Sequence, residues 1–75
     1  MTNKNITTGT EYELRVWRHH QIIKDINTHS IGILKTYLKF YKTLEDNDEC
    51  YVEVYINSKK LTVKQCVELY KELGL

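Results

Sequence analysis

The clearest pattern in the chain lies in its last third, where alternating apolar residues precede a helical stripe. Apolar residues occupy every second position from 50 to 56, which is typical of a half-buried strand. The polar run 57–60 predicts a turn, because Asn and Ser side chains bond to nearby backbone. Thr62-Val63-Lys64-Gln65 then matches a capping box and predicts a helix that ends at Gly74.

The inner face of this C-terminal helix is predicted from three- and four-residue spacing. The residues that recur at that spacing are Val63, Cys66, Val67, Tyr70 and Leu73. We therefore expect the helix to pack back onto the strand that precedes it.

A second alternation, between residues 10 and 18, predicts a strand near the N-terminus. Its inner face is predicted to consist of Tyr12, Leu14 and Val16. The Ile-rich segment 21–26 is interpreted as the return strand of a hairpin that turns at His19-His20, with Ile22 and Ile26 pointing inward. A single helical turn is the alternative for this segment, because no Gly or Asn-Gly marks the hairpin.

A longer helix is predicted after the cap-forming run 27–30. Its stripe consists of Ile31, Leu34, Tyr37, Leu38, Tyr41 and Leu44. The acidic run 45–49 marks its end, because negative charge is unfavourable at a helix C-terminus.

Together these elements predict an α+β fold in the order strand, strand, helix, strand, helix. The sheet is expected to be antiparallel and three-stranded in the order 2-1-3, with both helices on one face, and the pattern also allows a short fourth strand around Lys60-Leu61. Residues 1–9 are predicted to form a flexible tail and residues 10–75 a single domain. The predicted core is Leu14, Val16, Leu34, Leu38, Val52, Val54, Val67 and Tyr70.

Composition narrows the classes of function. The chain has 75 residues and a net charge of +1, from 11 basic and 10 acidic side chains, so it lacks the strongly basic balance of most nucleic-acid binders. No long apolar run or signal peptide is visible, which predicts a cytoplasmic protein without a membrane segment. Cys50 and Cys66 are expected to be free thiols that are buried as small hydrophobic residues.

Motifs that carry chemistry are missing from the sequence. His19, His20 and His29 do not have the spacing of metal ligands, and no Gly-rich phosphate loop or nucleophile elbow is present. A domain this small also has little room for a substrate pocket. We therefore expect a protein that is not an enzyme, with no catalytic residue, cofactor or metal.

Helices on one face of a sheet leave the other face open, and this face is the predicted site. The residues expected there are Glu13, Arg15, Trp17, Ile23, Tyr51, Glu53 and Tyr55. Tyr, Trp and Arg are enriched at binding hot spots, so the partner-binding residues are predicted to be Arg15, Trp17, Tyr51 and Tyr55. The partner is expected to be another protein or, when none is present, a second copy in a homodimer.

Nucleic-acid binding is the alternative. Aromatic side chains on an open sheet resemble a base-stacking platform, and lysines would contact phosphates. The candidate lysines are Lys35, Lys39, Lys42, Lys59, Lys60 and Lys64. Glu13 and Glu53 on the same face weigh against this alternative.

The run from Tyr51 to Thr62, followed by a short capped helix, resembles small phage or prophage accessory proteins of low-GC bacteria. The Lys-, Asn-, Tyr- and Ile-rich composition without proline is similar to theirs. The resemblance implies a compact inhibitor or modulator of a host enzyme or defence protein. It implies no particular site residue.

Overall fold

The computed structural model describes residues 9–75, so the predicted tail lies almost wholly outside the described residues. The elements are β1 (Tyr12–Arg18), β2 (Gln21–Thr28), α1 (Ile31–Asp46), β3 (Tyr51–Ile56), β4 (Lys59–Lys60) and α2 (Val63–Glu72). The predicted α+β fold and its element order are confirmed, and the short fourth strand is present.

The strands form one antiparallel sheet in the order β2-β1-β3-β4, as predicted for the first three. Because β2 and β3 both run antiparallel to β1, they are parallel to each other, and α1 connects them. In the pairing of β1 with β3, Leu14 lies opposite Val54 and Val16 opposite Val52. These two apolar pairs form the floor of the core.

The buried core is a single cluster that joins this floor to both helices. Its members are Leu14, Val16, Leu34, Leu38, Val52, Val54 and Leu69. Six of the predicted core residues are therefore confirmed, and Tyr70 packs half-buried against the cluster.

The prediction that Val67 lies in the core is wrong, because its side chain is 45% exposed and Leu69 is buried instead. Leu69 belongs to a stripe with Cys66, Tyr70 and Leu73, at the spacing of three, four and seven residues that one helix face requires. Val63 and Val67 lie to one side of that stripe and face solvent.

Both helices begin at the predicted caps. The Ser30 hydroxyl accepts from the Ile33 N–H. In the capping box of α2, the Thr62 hydroxyl accepts from the Gln65 N–H, and the Gln65 side chain accepts from the Thr62 N–H. After α2, Gly74 takes a left-handed conformation with φ of 75°, as expected of a closing glycine.

The hairpin interpretation of residues 19–26 is confirmed, although its turn contains no glycine. His19 and His20 have φ values of 52° and 65°, the left-handed pair of a type I′ turn. Asn57 and Ser58 connect β3 to β4 in the same way, with φ of 51° and 69°. His and Asn tolerate this region better than most residues, which explains how both tight turns form without glycine.

The prediction that Ile22 points inward is wrong. The register between β1 and β2 shifts by one residue, so that Val16 lies opposite Lys24 but Trp17 lies opposite Ile22. Ile23 is the extra residue of this bulge, and Ile22 is 46% exposed beside Trp17. A bulge exchanges the faces of the residues beyond it, and alternation alone does not reveal it.

The acidic run after α1 is partly helical, so the predicted end near residue 44 is two residues short. Lys42 Nζ lies 3.0 Å from Asp46 Oδ2, an ion pair across one turn that supports the last turn. Glu45 Oε2 accepts from the Val52 N–H at 2.9 Å and so ties the end of α1 to β3.

The placement of Leu69 in the core generates a test of how α2 is attached. Leu69→Ala should lower the free energy of unfolding by about 2–5 kcal/mol, because it leaves a cavity between α2 and the sheet. Val67→Ala, on the same helix but facing solvent, should change it by less than about 1 kcal/mol. Urea unfolding of the two variants checks this, and equal losses would contradict the placement of α2.

Candidate functional site

The open face of the sheet is organised into three rows that run across the strands. The register places Ile22, Trp17 and Tyr51 side by side, and we call this the apolar row. The next row along the strands, the charged row, consists of Asp25, Arg15 and Glu53. The third, the polar row, consists of Asn27, Glu13, Tyr55 and Lys60.

The carboxylate of Glu53 connects the three rows. Its Oε1 atom accepts from Trp17 Nε1 at 2.7 Å and from the Tyr55 hydroxyl at 3.3 Å. Its Oε2 atom lies 2.8 Å from Lys60 Nζ. The Glu53 side chain is only 11% exposed, so these three partners replace most of its contact with water.

The balance of these interactions favours the ionised form of Glu53. Burial alone would raise the pKa of this carboxyl, but the hydrogen bonds from Lys60, Trp17 and Tyr55 outweigh burial and lower the pKa below its ordinary 4.5. The hydrogen bond to Glu53 in turn raises the pKa of Lys60. The face therefore keeps its hydrogen-bonded charges throughout the neutral range.

Arg15 extends the same network toward β2. Its Nη2 atom lies 2.7 Å from Glu13 Oε2, and this hydrogen bond raises the pKa of Arg15 above its ordinary value. Its Nη1 atom donates to the Tyr55 hydroxyl at 3.3 Å, and the guanidinium carbon lies 4.9 Å from the centre of the Tyr55 ring. Asp25 Oδ2 is 3.8 Å from Arg15 Nε, too far for a hydrogen bond.

The apolar row is less enclosed than the charged row. Tyr51 is 53% exposed and Ile22 is 46% exposed, whereas Trp17 between them is half-buried and held by its hydrogen bond to Glu53. Lys60 Nζ lies 5.9 Å from the centre of the Tyr51 ring. The row therefore presents a fixed indole between two accessible apolar side chains, which is the arrangement expected of a binding anchor.

The charge of the open face is slightly negative. Three carboxylates, Glu13, Asp25 and Glu53, stand against two cations, Arg15 and Lys60, so the five groups sum to −1. Each cation already lies within 4 Å of a carboxylate. Such a face repels a phosphate backbone more than it attracts one.

The lysines predicted for nucleic-acid contacts do not form one surface. Lys60 belongs to the polar row, whereas α1, which carries Lys35, Lys39 and Lys42, packs on the opposite face of the sheet. Lys42 forms an ion pair with Asp46, and its Nζ atom lies 5.6 Å from the centre of the Tyr70 ring. Lys59 and Lys64 are exposed near the β4 turn and the start of α2.

A shallow groove of about 590 Å³ lies at the hairpin end of the sheet, and its lining combines histidine, cysteine and carboxylate side chains. The lining comprises Trp17, Arg18, His19, His20, Glu45, Asp48, Glu49, Cys50 and Tyr51. Within residues 9–75, no three His, Cys, Asp or Glu side chains are arranged to hold a metal ion. Burial, reinforced by Glu45 and Glu49, raises the pKa of the Cys50 thiol, which disfavours a thiolate nucleophile.

The structure brings together the four residues that the sequence predicted for partner binding, with Arg15, Trp17 and Tyr55 linked through hydrogen bonds and Tyr51 beside Trp17. Sequence reasoning missed Ile22, Asp25, Asn27 and Lys60 on this face. Lys60 was detectable, since a two-residue turn at Asn57-Ser58 returns it beside Tyr55. The register shift that brings Ile22 to the face has no signal in the sequence.

Comparisons with protein families, curated proteins and solved structures found no match to this chain. In the described part of the chain, neither helix is long and apolar enough to cross a membrane.

The Glu53 network predicts a specific pH dependence of stability. Because the folded pKa lies below 4.5, the ionised carboxylate stabilises the fold above that pH, and this contribution is lost as pH falls through the folded pKa. Glu53→Gln should lower the free energy of unfolding by about 1–3 kcal/mol at pH 7, since it weakens charged hydrogen bonds. The difference between variant and wild type should shrink as the pH falls from 7 to 3.

Urea unfolding followed by Trp17 fluorescence measures both quantities. Glu68→Gln, at an exposed carboxylate on α2, is the matched control and should cost little at either pH. A Glu53→Gln difference that stays constant between pH 7 and pH 3 would show that ionisation of Glu53 does not stabilise the fold.

Proposed function

We propose that this chain is a non-enzymatic protein-binding module that recognises its partner through the open face of the sheet. The observation that supports this proposal most is the apolar row. Ile22, Trp17 and Tyr51 are aligned across three adjacent strands beside a charged row that is already hydrogen-bonded. Anchors of this kind contribute most of the binding energy in protein interfaces.

Preorganisation supports the same proposal. Trp17 is fixed by Glu53, and Tyr55 is fixed between Arg15 and Glu53, so these side chains have little rotamer freedom left to lose on binding. Binding that orders fewer side chains retains more of its interaction energy as affinity.

A protein partner fits the face better than a nucleic acid does. The face has a net charge of −1, and its two cations are engaged by carboxylates, whereas a phosphate backbone requires free cations. Lys35 and Lys39 lie on α1, on the far side of the sheet from the aromatic side chains. A single strand stacked on Trp17 would therefore not reach these lysines.

Within this proposal, the resemblance noted in the sequence makes a host or defence protein the expected partner, with the chain as its inhibitor or modulator. The cytoplasm is the expected compartment. Both expectations are tested by the identity of the protein that the open face retains.

The test is a comparison of variants in affinity capture, followed by titration with the purified partner. A protein retained from nuclease-treated host lysate by wild type should be lost with Trp17→Ala and with Tyr51→Ala. In titrations the dissociation constant should rise about 30-fold or more, because truncation of a hot-spot side chain costs about 2 kcal/mol or more.

Val63→Ala is the matched control, since Val63 is an apolar residue that is 84% exposed on α2 and lies outside the three rows. It should retain the partner with unchanged affinity. Nuclease-sensitive retention that is lost with Lys35→Glu and Lys39→Glu would instead identify a nucleic-acid binder. A protein retained equally by Trp17→Ala and wild type would show that the open face is not the binding site.

A further inference from the structure

Within residues 9–75, no strand pairs with the outer edge of β2. In the order β2-β1-β3-β4, β2 is the terminal strand and runs for eight residues, Gln21–Thr28, beside no other described strand. The Asn57 N–H donates to the Glu11 carbonyl, which shows that the odd-numbered residues of β1 direct their backbone groups toward β3. Backbone direction alternates along an antiparallel strand, so the even-numbered residues of β1 bond to β2. The β2 residues opposite the odd-numbered ones therefore direct their N–H and C=O groups away from β1, toward the outer edge. Asp25 and Asn27 therefore present N–H and C=O groups at the edge that have no strand partner among the described residues.

The usual devices that protect an edge strand are weak between residues 24 and 28. The bulge lies at Ile23, toward the hairpin, and the register from Lys24 to Thr28 is regular. Lys24 bends toward the helical layer, where its Nζ lies 5.7 Å from the centre of the Tyr37 ring. An open, regular edge of this kind readily pairs with another strand.

An apolar stripe on α1 lies above the same edge. Ile33, Tyr37 and Phe40 are spaced four and three residues apart on one side of the helix, and the contact of Lys24 with Tyr37 places that side over β2. Ile33 is 47% exposed and Phe40 is 60% exposed. The opposite side of α1 faces α2, as the contact of Lys42 with Tyr70 shows.

We propose that the β2 edge and the α1 stripe together form a homodimer interface, in which two copies pair antiparallel through β2. The two-fold axis passes through Ile26. Around this axis Asp25 lies opposite Asn27 of the second copy, and Lys24 lies opposite Thr28 of the second copy. An axis through Asp25 or through Lys24 would instead place two like charges opposite each other, which is destabilising.

The same axis is also compatible with the positions of the two α1 helices. α1 runs antiparallel to β2, because it starts beside Thr28 and its C-terminal turn shares a groove with the hairpin residues His19 and His20. The two-fold axis that makes the β2 strands antiparallel therefore makes the two α1 helices antiparallel and adjacent. The stripe of each copy, Ile33, Tyr37 and Phe40, then lies on the side of α1 that faces the second copy, so a second copy complements both features at once.

The test is the oligomeric state of the full chain, measured by sedimentation equilibrium across the micromolar range. Wild type is expected to be a dimer. Phe40→Glu and Ile33→Glu should each raise the dimer dissociation constant by about tenfold or more, because each places a charge in an apolar contact. Circular dichroism confirms that each variant is folded, and two variants guard against one that fails to fold.

Two control variants separate this interface from the rest of the surface. Val63→Glu introduces the same charge at an exposed apolar helix residue and should leave the dimer intact, and Trp17→Ala on the open face should do the same. A monomer at all concentrations overturns the proposal. A dimer that dissociates on Trp17→Ala but not on Phe40→Glu also overturns it, since it identifies the open face as the interface.

Disulfide trapping tests the position of the axis. Residues 25 and 27 of the two copies lie opposite each other in this register, within the alpha-carbon separation of about 7 Å that a disulfide permits. A mixture of Asp25→Cys and Asn27→Cys chains should oxidise to a crosslinked heterodimer faster than either variant alone forms a crosslinked dimer. Wild type is the control, and it measures how much crosslinking occurs through Cys50 and Cys66. No excess crosslinking in the mixture overturns an axis at Ile26.

Discussion

In the part of the chain that the structure describes, helices cover only one face of the sheet, and the other features of the structure follow from that constraint. Among residues 9–75, seven buried residues form the core, and all of them lie between the sheet and the two helices. A small domain buries a modest fraction of its surface, so the uncovered face must be stabilised in another way. Hydrogen bonds and ion pairs between side chains serve this purpose on the open face.

Glu53 illustrates how such a face is stabilised without a second layer. A carboxylate that is largely withdrawn from water costs free energy unless it is hydrogen-bonded, and here Trp17, Tyr55 and Lys60 supply the bonds. Each bond also orients an aromatic or cationic side chain that would otherwise be mobile. Stability of the face and preorganisation of the candidate site thus arise from the same contacts.

Periodicity was sufficient to predict most of the fold, because each strand and helix buries one face at its own repeat. It predicted Leu14, Val16, Leu34 and Leu38 in the core and the capping box at Thr62. It failed where a single residue changes the register. The bulge at Ile23 moves Ile22 to the open face, and the choice between Val67 and Leu69 depends on a rotation of α2 that only tertiary packing decides.

The two proposed surfaces are compatible because they lie on different parts of the sheet. Edge pairing through β2 joins two sheets side by side and leaves both open faces uncovered, on the same side of one continuous layer. Ile22, at the β2 end of the apolar row, lies four residues along β2 from the axis at Ile26, so the apolar rows of the two copies lie toward opposite ends of the joined sheet. A partner with two equivalent sites would engage both rows, and the second contact would form at the high effective concentration set by the first. The dimer would therefore increase affinity without any new contact on the open face itself.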